Sequence, residues 1–115
     1  MRDRFKVDLL DPDDPFELDA GNIPHLFKHG LAHLKIQVDL DLIYDIYLFD
    51  EPRFYEAHET RSADWIMRGE TLNVILDVPL APSKSGFANK CRPIGLYETG
   101  YHDKTQYWED LNRWR

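Results

Sequence analysis

Apolar positions recur at helical spacing in the first half of the chain and switch to strand-like alternation in the second. In residues 22–30, Ile23, Leu26 and Phe27 can turn toward a core while His25, Lys28 and His29 take polar positions. Asn22 suits the N-cap, Pro24 the first turn, and Gly30 a left-handed stop, so a helix is predicted over 23–29. A second is predicted over 39–49. Asp39 or Asp41 caps it, Leu42 or Ile43, Ile46 and Phe49 keep the period, and Glu51-Pro52 ends it. Residues 53–57, 64–69 and 72–79 then read as strands, β-branched and aromatic, separated by polar or glycine-bearing turns. The third is the most apolar and is placed at the centre. Residues 81–86 form a loop by composition. Residues 90–97 return as a fourth strand, with Pro93 demanding an edge or a bulge. Residues 102–114 close the chain as a helix, with Tyr101, Thr105, Trp108 and Leu111 on one stripe and its aromatics assigned to the core. Residues 1–15, acidic and proline-containing, read as an extended arm. The predicted class is α+β: one domain over 1–115, with two N-terminal helices, an antiparallel meander of three to four strands, and a C-terminal helix.

Composition narrows the function. A chain of 115 residues with 13% aromatics can bury about two-thirds of its unfolded surface around one core. The net charge of −7 is uneven. The first sixty residues carry fourteen acidic and six basic side chains, and the remaining fifty-five carry seven and eight. Asp11, Asp13, Asp14, Glu17 and Asp19 read as a solvated acidic face. This balance opposes non-specific nucleic-acid binding, which rests on phosphate neutralisation, but leaves room for a basic groove built from the second half. The single cysteine, Cys91, has no intramolecular disulfide partner and reads as a buried strand residue. No apolar run approaches the roughly 18 residues of a membrane span, and the charged N-terminus lacks a secretory segment. The expected location is the cytoplasm.

Helical geometry would set His25 and His29 on one face, with Lys28 beside them. A metal-free ribonuclease must deprotonate a 2′-hydroxyl, protonate the leaving 5′-oxygen, and offset charge on a pentacoordinate phosphate. Histidine suits the two proton transfers and arginine the third task. His25, His29 and His58 are the proton-transfer candidates, and Lys28, Arg61, Arg68 and Arg92 the cationic ones. Tyr97 or Trp65 can stack an unpaired base. Each has a plainer role beside it. His25 fits a core histidine, His29 a helix C-terminal cap, and Arg92 an ion pair with an acidic neighbour. His25, His29 and His33 step by four, as zinc ligands can, but Gly30 would break the helix and Leu26 stands where a metalloprotease helix needs glutamate. No metal or cofactor is expected.

Three stretches resemble the BrnT family of bacterial toxins, which share a RelE-like ribonuclease fold. Asn22-Ile-Pro-His-Leu-Phe-Lys-His-Gly30 looks like the family's opening pattern N-I-x-H-x-x-K/R-H-G. Residues 64–69 followed by 72–78 are similar to its hairpin, in which a glycine precedes an apolar strand. Cys91-Arg92-Pro93-Ile94 resembles the start of its last strand, and Tyr107 stands where the family often has a tyrosine. The likeness spans residues 16–108. It implies a toxin-like endoribonuclease of a two-gene toxin–antitoxin module, cleaving single-stranded mRNA without metal and partnered by a small DNA-binding antitoxin. It raises His29 and Lys28 above the other candidates. With Arg92 they form the catalytic set, and Arg68, Arg61 and Tyr97 the substrate-binding set. The chain departs from the family where Gly95, Leu96 and Tyr97 replace a Ser/Thr-Ala-Arg sequence, and where the closing helix offers only Lys104, Arg113 and Arg115 as cations. These departures sustain an alternative: a non-catalytic BrnT-like protein-binding domain in a regulatory complex with a DNA-binding partner.

Overall fold

The switch in hydrophobic period becomes a switch in architecture. A computed structural model describes residues 3–18, 20–21, 23–27, 31–34, 36, 38–58 and 62–113. Helix α1 (Ile23–Leu26) is a single turn of helix, with Phe27 already in a turn beyond it. Its predicted cap, Asn22, and stop, Gly30, lie outside the described residues, as does the predicted end of the last helix at Trp114. A short 3-10 segment (Leu31–Leu34) leads to α2 (Leu40–Phe49), whose N-cap is Asp39. Strands β1 (Arg53–Glu56), β2 (Trp65–Thr71), β3 (Val74–Pro82), β4 (Cys91–Pro93) and β5 (Tyr97–Glu98) precede α3 (Tyr101–Arg113). The class is α+β with an antiparallel sheet.

The sheet runs β1-β2-β3-β4, with β5 also on β3, and every pairing is antiparallel. β3 is central, as its apolar run predicts. It begins at Val74, two residues later than expected. Leu72 and Asn73 have φ of 51° and 66° and make the tight turn of the β2–β3 hairpin. Two successive left-handed residues match the twist of a two-residue hairpin loop. Asparagine takes this conformation readily and leucine does so at a steric cost. The predicted fourth strand divides in two: β4 ends at Pro93, and β5 starts at Tyr97. Pro93 sits on an edge strand, where its missing N–H interrupts no second ladder.

Alternation divides the sheet into two faces. Met67, Leu76, Val78 and Leu80 join Leu42, Ile43 and Ile46 of α2, with Leu26 and Leu31, in the main core. Gly69 shares that face as the cross-strand partner of Leu76. A methyl group there would lie 2.7 Å from both Ile46 Cγ2 and Asp50 Oδ2, so α2 rests directly on the β2 backbone. The opposite face carries Arg68 and Asp77 and is tied to α3.

The N-terminal segment is anchored to the sheet: Leu10, Pro15 and Phe16 are buried. β4 leaves its outer backbone groups open, and the segment fills them. Cys91 N–H donates to Pro15 O at 2.8 Å, and Glu17 N–H to Cys91 O at 2.7 Å. An unpaired sheet edge recruits backbone whatever the side-chain polarity. In α3, Tyr101 and Trp108 are 81% and 49% exposed, and Tyr107 is the buried aromatic. The expected aromatic core stripe is thus corrected: the sheet beneath presents Arg68 and Tyr55, so the helix turns Asp103 and Asp110 toward them and leaves Tyr101, Thr105 and Trp108 outward. No helix among the described residues is long and apolar enough to cross a membrane.

Gly69→Ala should destabilise the fold by about 1–3 kcal/mol, because both neighbours belong to a well-packed seam. Urea denaturation measures it, and an unchanged midpoint would mean that α2 yields freely.

Candidate functional site

Arg68 and Asp77 are directly opposed in the β2–β3 ladder, so their side chains leave the sheet on the same face. The guanidinium donates to Asp77 from Nε at 2.6 Å and from Nη2 at 2.9 Å. Thr99 Oγ1 donates to the same carboxylate at 2.7 Å. Asp103 of α3 lies 3.5 Å from Arg68 Nη2, and the Tyr55 ring stacks under the guanidinium at 4.5 Å. Burial works against the charge on Arg68, but hydrogen bonds and attraction from Asp77 outweigh it and raise its pKa. Tyr55 is pushed up to about 12, by desolvation first and then by its 2.8 Å bond to Asp110. With 7% of its side chain exposed, Arg68 is a structural cation, and its planar fork is taken up by protein rather than open to phosphate.

Register places the other described candidates on this same face. Tyr97 pairs with Asp77, and Arg92 pairs with Ala81, two alternations further along β3. Arg92 Nε donates to Pro82 O at 2.9 Å, and among the described residues Arg92 forms no direct ion pair. Its charge still contributes, behind the hydrogen bond from Ser83, to holding the Glu17 carboxyl below its usual range. Tyr97 is half-buried with its ring against Gly95, where a methyl group would meet Tyr97 Cε2 at 2.6 Å. Two of the residues that depart from the BrnT pattern are thus one packing unit: a ring at 97 needs glycine at 95.

The catalytic candidates Lys28 and His29, and the substrate candidate Arg61, lie outside the described residues. The flanks of the Lys28-His29 pair are anchored, with Leu26 and Leu31 both buried. His25 is exposed, not a core histidine, and His58 is exposed as well. Trp65 donates its indole N–H to Phe5 O at 2.8 Å, which fixes the ring against the N-terminal segment. Cys91 is buried, and burial pushes its thiol up to about 12, too high for a thiolate nucleophile.

One cluster had no sequence signal. His33 Nε2 lies 3.0 Å from Glu98 Oε1, and Lys104 Nζ lies 3.2 Å from Glu98 Oε2. These contacts join the 3-10 segment, β5 and α3. The His33 bond, followed by the Lys104 bond, lowers the Glu98 pKa. Only the fold brings these residues together. Among the described residues, no group of three His, Cys, Asp or Glu side chains is arranged to hold a metal ion. Compared with family models, curated proteins and solved structures, the chain matches none.

Removing one partner of the buried pair, by Arg68→Met or Asp77→Leu, should cost about 3–5 kcal/mol, with the double variant recovering much of the loss. A double-mutant cycle in urea checks this, and strictly additive losses would mean that the two side chains act independently. For Glu98, a lowered folded-state pKa gives stability that is complete above the ordinary carboxyl pKa and lost as pH falls through the lowered value. His33→Ala should therefore flatten the acid side of a melting-temperature profile between about pH 3 and 6. An identical profile in wild type and variant would remove His33 from that linkage.

Proposed function

We propose that this chain is the toxin-like member of a two-gene toxin–antitoxin module, a BrnT-like domain that cleaves single-stranded mRNA in the cytoplasm without a metal. The observation that carries the reading is the His33–Glu98 contact. It ties the segment directly after the Lys28-His29 motif to β5, the strand of Tyr97, which three residues separate from β4 and its Arg92. In this reading His29 moves the proton of the attacking 2′-hydroxyl or of the leaving 5′-oxygen. Lys28 and Arg92 offset the charge that builds on phosphorus, and Tyr97 and Arg61 hold the strand. The attacking oxygen forms the new bond to phosphorus as the bond to the 5′-oxygen breaks, so no redox partner or cofactor is required. Arg68 leaves the substrate set and supports the face from which Tyr97 and Arg92 project.

The second reading is a non-catalytic domain held in a complex with a small DNA-binding antitoxin. It is favoured by the internal commitment of Arg68 and by the net charge of −7. Incubating the purified chain with an unstructured RNA, with and without EDTA, separates the two. The expected result is cleavage that survives chelation and falls by roughly 10²–10⁴ in His29→Ala, with the melting temperature retained. Activity abolished by EDTA and restored by Mg²⁺ would refute the metal-free mechanism. An inactive wild type that co-purifies with the product of the adjacent gene would establish the second reading instead.

A further inference from the structure

At the far end of the molecule from β4, the last turn of α2 and the inner side of α3 leave an open cleft of about 370 Å³. Its rim carries Phe49, 79% exposed despite being aromatic, and Leu111 lines it from α3. Among the described residues, three carboxylates, Asp50, Glu51 and Glu70, share the lining with one guanidinium, that of Arg53. Asp50 is already engaged, accepting from the Glu70 amide and from the Tyr107 hydroxyl. Burial first, and then the charges of Asp50 and Glu70, push the Tyr107 phenol up to about 12, so it stays a donor and closes the floor. Arg53 Nε is buried, so it does not face the opening.

We infer that this cleft binds a basic, apolar-flanked peptide segment of a partner protein. A lysine or arginine side chain of that segment enters between Glu51 and Glu70. Its apolar neighbour lies on Phe49 and Leu111. The carboxylate excess repels phosphate and so disfavours nucleic acid, while the apolar rim favours a peptide over a small free cation. Among the described residues, none of the candidates for RNA cleavage lines the cleft.

Fluorescence anisotropy of the full chain with three labelled ten-residue peptides tests it: alternating leucine and arginine, alternating leucine and glutamate, and alternating serine and arginine. The leucine–arginine peptide should bind roughly tenfold or more tighter than the other two. Phe49→Ala and Glu70→Gln should each weaken it by roughly tenfold, in proteins whose circular dichroism and melting are unchanged. The double substitution Asp8→Asn/Asp13→Asn, which lowers the acidity of the N-terminal segment instead, should leave the affinity as it was. The inference fails if the leucine–arginine peptide does not bind. It fails equally if the serine–arginine peptide binds as well, or if the N-terminal variant loses as much as Glu70→Gln, because either result reduces the effect to diffuse charge attraction.

Discussion

The Arg68–Asp77 pair is the constraint on which the two halves of the second layer depend. Taking both charges out of water is costly, and a buried pair is not in itself a large source of stability. Here the cost is met by geometry: two parallel hydrogen bonds, a third from Thr99, and the Tyr55 ring beneath the guanidinium. What the pair contributes most directly is specificity. A slip of one residue between β2 and β3 would send Arg68 into the apolar face beneath α2. The same cation sets the rotation of α3, since Asp103 must face it. Sheet register and helix orientation therefore share one determinant.

A second junction works through absence of a side chain. Gly69 lets α2 approach the β2 backbone, and that approach brings Asp50 within reach of the Glu70 amide and the Tyr107 hydroxyl. One carboxylate at the end of α2 thus joins the helix to the sheet and to α3. The position of Asp50 also explains why Glu51 is forced to a φ of 51°. The chain must turn sharply to leave the helix and enter β1 within three residues, and it does so without a glycine.

The strands were legible because β3 is continuously apolar and polar or glycine-bearing stretches separate the runs, although Asn73, read as strand, belongs to the turn; α2 was legible because its apolar residues keep a strict period. Each of these signals is local. What composition could not supply was decided by long-range partners. The N-terminal segment reads as an extended acidic arm, and only the open edge of β4 determines where its backbone is held. Helix α3 carries two candidate faces, one aromatic and one acidic with Tyr107, and only the presence of Arg68 beneath it selects the second. Arg68 itself was read as a surface cation because its partner Asp77 lies nine positions away, across a turn, in the middle of an apolar strand. For the candidate site, chemical type could nominate residues but could not say which cations were already committed.

That commitment constrains any nucleic-acid chemistry the chain performs. Phosphate binding normally draws on a field summed over many cations, with an affinity that falls steeply with salt. On this surface Lys90 meets Asp14, Lys104 meets Glu98, and Arg68 meets Asp77. Each pairing cancels a charge that a basic groove would need. Among the described residues, cations so paired add little long-range attraction for RNA. On the proposed reading, recognition would rest on a few short contacts, chiefly base stacking and one or two charge-assisted hydrogen bonds, in which the position of each donor matters more than the number of charges. The packing of Tyr97 against Gly95 is consistent with that regime, because a stacking surface works only when its ring is held still.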